Sequence, residues 1–254
     1  GYPDTIGADF IQYAIADSWL ITPEITKSYT EDIIYLPHAF FTSPMEISSR
    51  EMTRAEFGLP DDAFVFCCFN SHYKINPAVF DAWMRILRQV PQGVLWLTGG
   101  SEKLMANLRQ AAQNRGIDGN RIIFTDKIDN SEYLARYRLA DLFLDTFIYN
   151  AGSTAISALW AGVPVLTRPG NTYASRMGAS ICAAAELKSL ICPTTADYEK
   201  TAIYLANHPK SLAYRHRQLI QNRSKLPLFD VPGFVQNLET ALRQMWSNYQ
   251  SGLC

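Results

Sequence analysis

The run DLFLDTFIYNAGSTAISALWAGVPVLT, Asp141–Thr167, decides the fold. It reads as strand, helix, strand. DLFLDTF and VPVLT are short and apolar, as a buried strand requires. STAISALWAG between them reads as a buried helix. That helix opens on small or polar residues, Ala151-Gly152-Ser153-Thr154-Ala155, directly after Tyr149-Asn150 at a strand end. Strands joined by a helical crossover run parallel, and a parallel sheet is covered by helices on both faces.

The same alternation extends upstream. AFVFCCFN (63–70) is apolar and aromatic, a strand. Pro77 suits a first helical turn. AVFDAWMRILRQV then places Phe80, Trp83, Ile86 and Leu87 on one helical face. GVLWLTG (93–99) is the next strand, ending at Gly99-Gly100. EKLMANLRQAAQNRG is a second helix, stopped by Gly116. RIIFT reads as a strand and SEYLARYRLA as a helix opened by Ser131. Further helices are expected around 173–185, 195–207, 210–223 and 231–247. With right-handed crossovers, these units predict an α/β fold, a Rossmann-like doubly wound parallel sheet. The polar stretch FFTSPMEISSR (40–50) reads as a linker after a short N-terminal part. There is no internal repeat.

Composition narrows the function classes. The 254 residues are 48% hydrophobic and 19% charged, enough for a substantial core. A net charge of −1 offers no electrostatic surface for nucleic acid. No apolar run reaches the roughly 18 residues that span a membrane. The N-terminus lacks the basic and apolar segments of a signal peptide. Five cysteines without a CxxC, and four histidines without ligand spacing, predict a reduced, cytoplasmic setting and no metal.

Ligands of doubly wound sheets bind at the carboxyl ends of the strands. Two strand ends here suit an anion. CCFNSHYKINP displays Asn70, Ser71 and Lys74, and a turn lysine can serve phosphate as a point charge. The alternative is a solvated loop lysine. At the second, Gly152, Ser153 and Thr154 open a helix whose amides and dipole favour negative charge. The alternative is a Ser or Thr that merely caps the helix. Together the two ends point to a diphosphate. Neither GxGxxG nor GxxxxGK[ST] is present, so dinucleotide and P-loop readings lack support. Asp145 is a catalytic candidate or a turn cap. His72 reads as a surface residue, and no GxSxG elbow accompanies it.

The segments FVFCCFNSHYKINPAVFDAWMRILRQVPQGVLWL, NRIIF, RLADLFLDT, ALWAGVPVLT, ASRMGAS and PLFD resemble the catalytic region of the O-linked N-acetylglucosamine transferases, in the bacterial SPINDLY-type branch. GYPDTIGADFIQYAIAD and YLPHAFF resemble it too. The resemblance is collinear over nearly the whole chain. It implies a GT-B glycosyltransferase. Residues 1–45 would be the tail of the N-terminal catalytic lobe, and 46–254 the C-terminal nucleotide-sugar lobe with its closing helices.

The implied donor is a UDP-sugar, UDP-N-acetylglucosamine, and the acceptor a protein Ser or Thr hydroxyl. The implied reaction inverts the anomeric centre and needs no metal or other cofactor. The acceptor would be recruited by TPR repeats upstream, which are absent from this sequence. Lys74 matches the family lysine that contacts the diphosphate, the one catalytic assignment. Ser153 and Thr154 match a threonine pair at the phosphate-binding helix start. Lys127 to Asn130, with Ile128 and Asn130 as contacts, matches the turn that reads uracil and approaches the ribose. Arg136 and Arg176 match family arginines, with helix-surface and packing roles open for both.

The departures cluster at the same place. Gly152 stands where the family has a His that contacts the donor, and Ser157 where it has an Asp that binds the ribose. Tyr133 replaces another family His. PDTIG (3–7) stands for PGTSG, and PGNT (169–172) for PGET. These changes leave two alternatives beside the transferase: a degenerate homologue serving as a binding or scaffold module, and a GT-B enzyme using another NDP-sugar on a glycan or small molecule. No catalytic base is assigned, and the fragment alone is expected to be inactive.

Overall fold

The computed structural model describes residues 4–252, so Pro3 of PDTIG and Cys254 lie outside the described residues. Near the N-terminus, β1 (Tyr13–Ala16), α1 (Pro23–Thr26) and β2 (Asp32–Tyr35) form a two-stranded parallel unit. Five further strands follow: β3 (Phe64–Cys68), β4 (Gly93–Thr98), β5 (Ile122–Thr125), β6 (Leu142–Leu144) and β7 (Val165–Leu166). All their pairings are parallel, in the order β5-β4-β3-β6-β7. Helices α2 (Pro77–Gln89), α3 (Glu102–Gln113), α4 (Asn130–Arg136) and α5 (Ser153–Trp160) link successive strands. Then come α6 (Met177–Ala184), α7 (Thr195–Asn207), α8 (Pro209–Asn222) and α9 (Val231–Gln250).

The chain winds outward from β3 to β5, then restarts on the other side of β3 with β6. The order therefore reverses between β3 and β6, and the loops leaving their carboxyl ends diverge into a crevice. This is the expected doubly wound α/β fold.

Local chemistry explains the elements. Asn76 caps α2 by accepting from Val79 N, and Pro77 fills its first turn. The predicted apolar face, Phe80, Trp83, Ile86 and Leu87, is buried. Trp83 and Tyr198 are buried deeply enough to require polar partners. Trp83 Nε1 donates to Tyr198 Oη (3.1 Å), and Tyr198 Oη donates to the Asp145 carbonyl (3.0 Å). That chain ties α2 and α7 to the end of β6.

Three expectations are corrected. α4 starts at Asn130 with Asp129 in the cap position, one residue before Ser131. The 173–185 run is helical only over Met177–Ala184, because residues 168–176 form a loop closed by Thr172–Ser175 hydrogen bonds. The 40–50 stretch has no regular structure but is no free linker. Its Met45 carbonyl accepts from Trp160 Nε1 (2.8 Å), Ser48 N donates to the Ser131 carbonyl (3.1 Å), and Met45 and Ile47 contact the core. Those backbone bonds and apolar contacts make it a strap.

The N-terminal unit is stapled to α6. Buried Asp17 accepts from the amides of Trp19, Leu20 and Ala39 and from Ser180 Oγ. Arg176 donates from Nε to the Trp19 carbonyl (2.7 Å) and from Nη1 to the Gly170 carbonyl (3.0 Å).

Candidate functional site

The loop after β3 and the loop after β6 meet in the crevice. Asn70, 2% exposed, joins them. Its Nδ2 donates to Thr146 Oγ1 (3.0 Å), and its Oδ1 accepts from Thr154 Oγ1 (2.5 Å). Residues His72–Lys74 then make a single 3-10 turn. Lys74 Nζ donates to the Asn150 carbonyl (2.9 Å) and lies 3.9 Å from the centre of the Tyr149 ring. Among the described residues it has no ion-pair partner. Half-burial lowers its pKa, opposed by the charges of Asp145 and Cys68. A partly desolvated ammonium facing carbonyl and ring is available to an anion.

Asp145 shapes the β6 loop from beneath. It is fully buried, and its Oδ1 accepts from the amides of Thr146 (2.8 Å) and Ala151 (2.7 Å). Its Oδ2 accepts from Thr167 Oγ1 (2.7 Å). Of the two readings of this residue, the turn cap is therefore the one its contacts match. Burial pushes its pKa up to about 7 from 3.8, against those three donors and Lys74. A raised carboxyl pKa means the folded state holds a proton that the unfolded state releases. The contribution is full below about pH 3.8 and is lost as pH rises through about 7. Asp145→Asn keeps the oxygen that accepts from both amides and can donate to Thr167 Oγ1. We expect urea titrations to show unfolding free energy falling from pH 4 to 7 more steeply in the wild type. The difference is on the order of 4 kcal/mol across that window. Equal slopes would mean that Asp145 is ionised throughout.

At the start of α5, Gly152 takes the cap position (φ −101°, ψ −98°) and no side chain caps the helix. Ser153 is thus not a cap. It is exposed, and Thr154 is committed through its hydroxyl to Asn70. The helix presents its first turn without a side-chain acceptor, which suits an external anion. Ser157, one turn along, is half-buried.

Beside the crevice, on the β4–β5 side, lies a cavity of about 680 Å³. Phe69, Asn70, Ser71 and His72 line it from β3, Thr98–Gly100 from β4, and Lys127, Ile128, Tyr133 and Arg136 from β5 and α4. Arg136 is 1% exposed, which excludes a helix-surface role. Its Nη1 donates to Thr125 Oγ1 (3.0 Å) and the Asp126 carbonyl (2.7 Å), while Nε has no partner. The guanidinium sits 4.7 Å from the Phe69 ring centre and 5.2 Å from that of Tyr133. Burial lowers its pKa. A buried cation held by carbonyl, hydroxyl and rings, with no carboxylate paired to it, makes this wall attractive to an electron-rich group. Tyr133 Oη is paired with Tyr137 Oη (2.7 Å), and burial pushes its pKa up to about 12.

Residues 43–238 match Glycosyl transferase family 41, well over half of the chain. The chain belongs to glycosyltransferase family 41. Across 99% of its length it is 34% identical to the Arabidopsis thaliana protein named "Probable UDP-N-acetylglucosamine--peptide N-acetylglucosaminyltransferase SEC", covering 27% of that protein. It is 36% identical to the Caenorhabditis elegans UDP-N-acetylglucosamine--peptide N-acetylglucosaminyltransferase over 79% of this chain and 18% of that one. A mutant of the Thermobaculum terrenum O-GlcNAc transferase superposes with a TM-score of 0.85 at 28% identity, over 96% of this chain and 46% of that one. The family 41 chain thus spans about a quarter of the curated Arabidopsis relative. Its five-stranded parallel sheet matches that of a GT-B glycosyltransferase, as expected.

Within this family 41 lobe, Asn70, Ser71, Ile128 and Arg136 share the cavity wall. Thr154 is tied to that wall through Asn70, whereas Lys74 does not line the cavity and is bonded to Asn150 after β6. Gly152, Ser153, Ser157 and the exposed Asn130 do not line that cavity, and Arg176 belongs to the N-terminal staple. Sequence reading missed the buried ties Thr146, Asn150 and Thr167. His72, at the surface yet half-buried, lines the cavity and bonds to the Thr98 carbonyl. Their signal was position alone: polar residues following short apolar strands. Among the described residues no helix is long and apolar enough to cross a membrane. No cluster of three His, Cys, Asp or Glu suited to a metal occurs among them.

Proposed function

We propose that this chain is the donor-binding lobe of a UDP-sugar-dependent glycosyltransferase that moves N-acetylglucosamine from UDP-N-acetylglucosamine to Ser or Thr hydroxyls of proteins. The observation that carries it is a cationic crevice at the β3–β6 divergence: Lys74 without an acidic partner, beside a helix start without a side-chain cap. The names of the relatives supply the donor and the peptide acceptor.

When the bond to the sugar breaks, negative charge accumulates on the leaving diphosphate. Lys74 exchanges the Asn150 carbonyl for a phosphate oxygen, and the amides of Ser153 and Thr154 with the Ser153 hydroxyl bind the same group, while the Thr154 hydroxyl stays on Asn70. Such donors, already placed where charge develops, lower the barrier. Ile128 and Asn130 face the nucleoside, with Arg136 behind them. The base that activates the acceptor hydroxyl lies outside this lobe. Residues 1–45 belong to the other lobe, and TPR repeats elsewhere in the full protein bring the acceptor. The buried free thiols Cys67, Cys68, Cys182 and Cys192 favour a cytoplasmic setting.

Gly152 has no side chain to offer the donor, which favours one competing reading, a binding module without turnover. Calorimetry with UDP, followed by labelled UDP-N-acetylglucosamine and lysate protein with the full-length protein, separates them. Binding with label on protein is the expected result. Binding without label leaves the module, label only on glycans or small molecules rejects the protein acceptor, and no binding at millimolar UDP removes the donor site.

A further inference from the structure

His72 lies in the turn between Asn70 and Lys74, and its ring lines the cavity. Nε2 is 2.7 Å from the Thr98 carbonyl oxygen at the end of β4. A carbonyl oxygen can only accept, so Nε2 carries the hydrogen, and in the neutral ring Nδ1 keeps a bare lone pair. No described residue donates to that nitrogen. Gly100 leaves the same edge of the ring open: a Cβ there would stand 3.1 Å from Cε1 and 3.6 Å from Nδ1.

The surrounding polar groups make this lone pair distinctive. Arg136 and Lys127 are donors only. Both ends of the Asn70 amide are taken by Thr146 and Thr154, and the Tyr133 hydroxyl is paired with Tyr137. A phosphate oxygen would meet Nδ1 lone pair to lone pair, so a diphosphate is the wrong partner for it. A nucleoside suits it: the imide N–H of the base and the hydroxyls of the ribose are donors, and on this wall His72 Nδ1 joins the Ser71 hydroxyl and the carbonyls of the 127–128 turn as their acceptors.

We infer that His72 Nδ1 is a ligand acceptor, taking a hydrogen bond from an N–H or O–H of the nucleoside end of the donor. The inference rests on the UDP-sugar reading above. It makes His72 a specificity residue for the nucleoside, held in aim by Thr98.

The test is titration calorimetry on the purified protein, with melting temperature recorded for each variant. His72→Gln can still donate to the Thr98 carbonyl but lacks an acceptor at Nδ1, whereas His72→Asn places an amide oxygen near Nδ1 and gives up the Thr98 bond. His72→Gln should bind UDP about tenfold more weakly at an unchanged melting temperature, and His72→Asn should retain more of the affinity. The source of the hydrogen is found with 2′-deoxy-UDP, 3′-deoxy-UDP and N3-methylated UDP. One of them should lose the same factor on the wild type and lose nothing more on His72→Gln. Wild-type affinity in His72→Gln would overturn the acceptor role. So would losses that add independently for every analogue, or equal losses in both variants with lowered melting temperatures. In each of those cases wild-type UDP binding stands; its absence would instead remove the donor site itself.

Discussion

Replacing Lys74 with alanine lowers affinity for UDP by about 100-fold, because hydrogen bonds to a charged group are worth about 1.5–3 kcal/mol. The melting temperature should barely move, since Lys74 donates only to one carbonyl and rests on one ring. Affinity also acquires a pH dependence. Burial lowers the lysine pKa below its ordinary 10.5, so the charge disappears, and affinity falls, as pH rises through that lowered value. In Lys74→Ala that alkaline limb is absent. Calorimetry across pH reads both effects, and an unchanged affinity would remove Lys74 from the diphosphate site.

The second large effect concerns a residue that need not touch ligand. A Cβ on Gly178 would lie 2.2 Å from Asp145 Oδ2 and 2.3 Å from Thr167 Oγ1, at the base of the β6 loop. Its amide also donates to Asn150 Oδ1 (3.1 Å). Gly178→Ala must displace α6 or break the carboxylate from its donors, and overpacking of this kind costs about 3 kcal/mol. Urea denaturation should show that loss. UDP affinity should fall with it, because Asp145 and Asn150 place the carbonyl that holds Lys74. Wild-type stability would mean that α6 shifts freely, against its attachment through Ser180 and Asp17.

Much of this was readable from local pattern. Apolar runs located all five strands of the main sheet, and the crevice was placed at the ends of two of them. Their pairing was not readable, because parallel neighbours are joined by long crossovers and carry no turn signal. That β3 sits beside β6 is decided by tertiary packing, and it is what brings Asn70 to Thr154. The strands β1 and β2 have four residues each, too short for a period of two to stand out. Ser153 looked like a helix cap, but the helix is capped by Gly152 and the loop is held from below by Asp145. Arg136 lies in a run that reads as an ordinary amphipathic helix, and only the fold shows it buried against Phe69 and Tyr133.

The resting place of Lys74 has a thermodynamic consequence. A free lysine side chain samples many rotamers, and stilling it costs up to about 2 kcal/mol of entropy. In this chain the ammonium is already restrained between the Asn150 carbonyl and the Tyr149 ring. That ordering belongs to folding rather than to association. An arriving diphosphate displaces a neutral dipole instead of breaking an ion pair, so both the entropic and the desolvation penalties of engaging the cation are reduced before the ligand arrives.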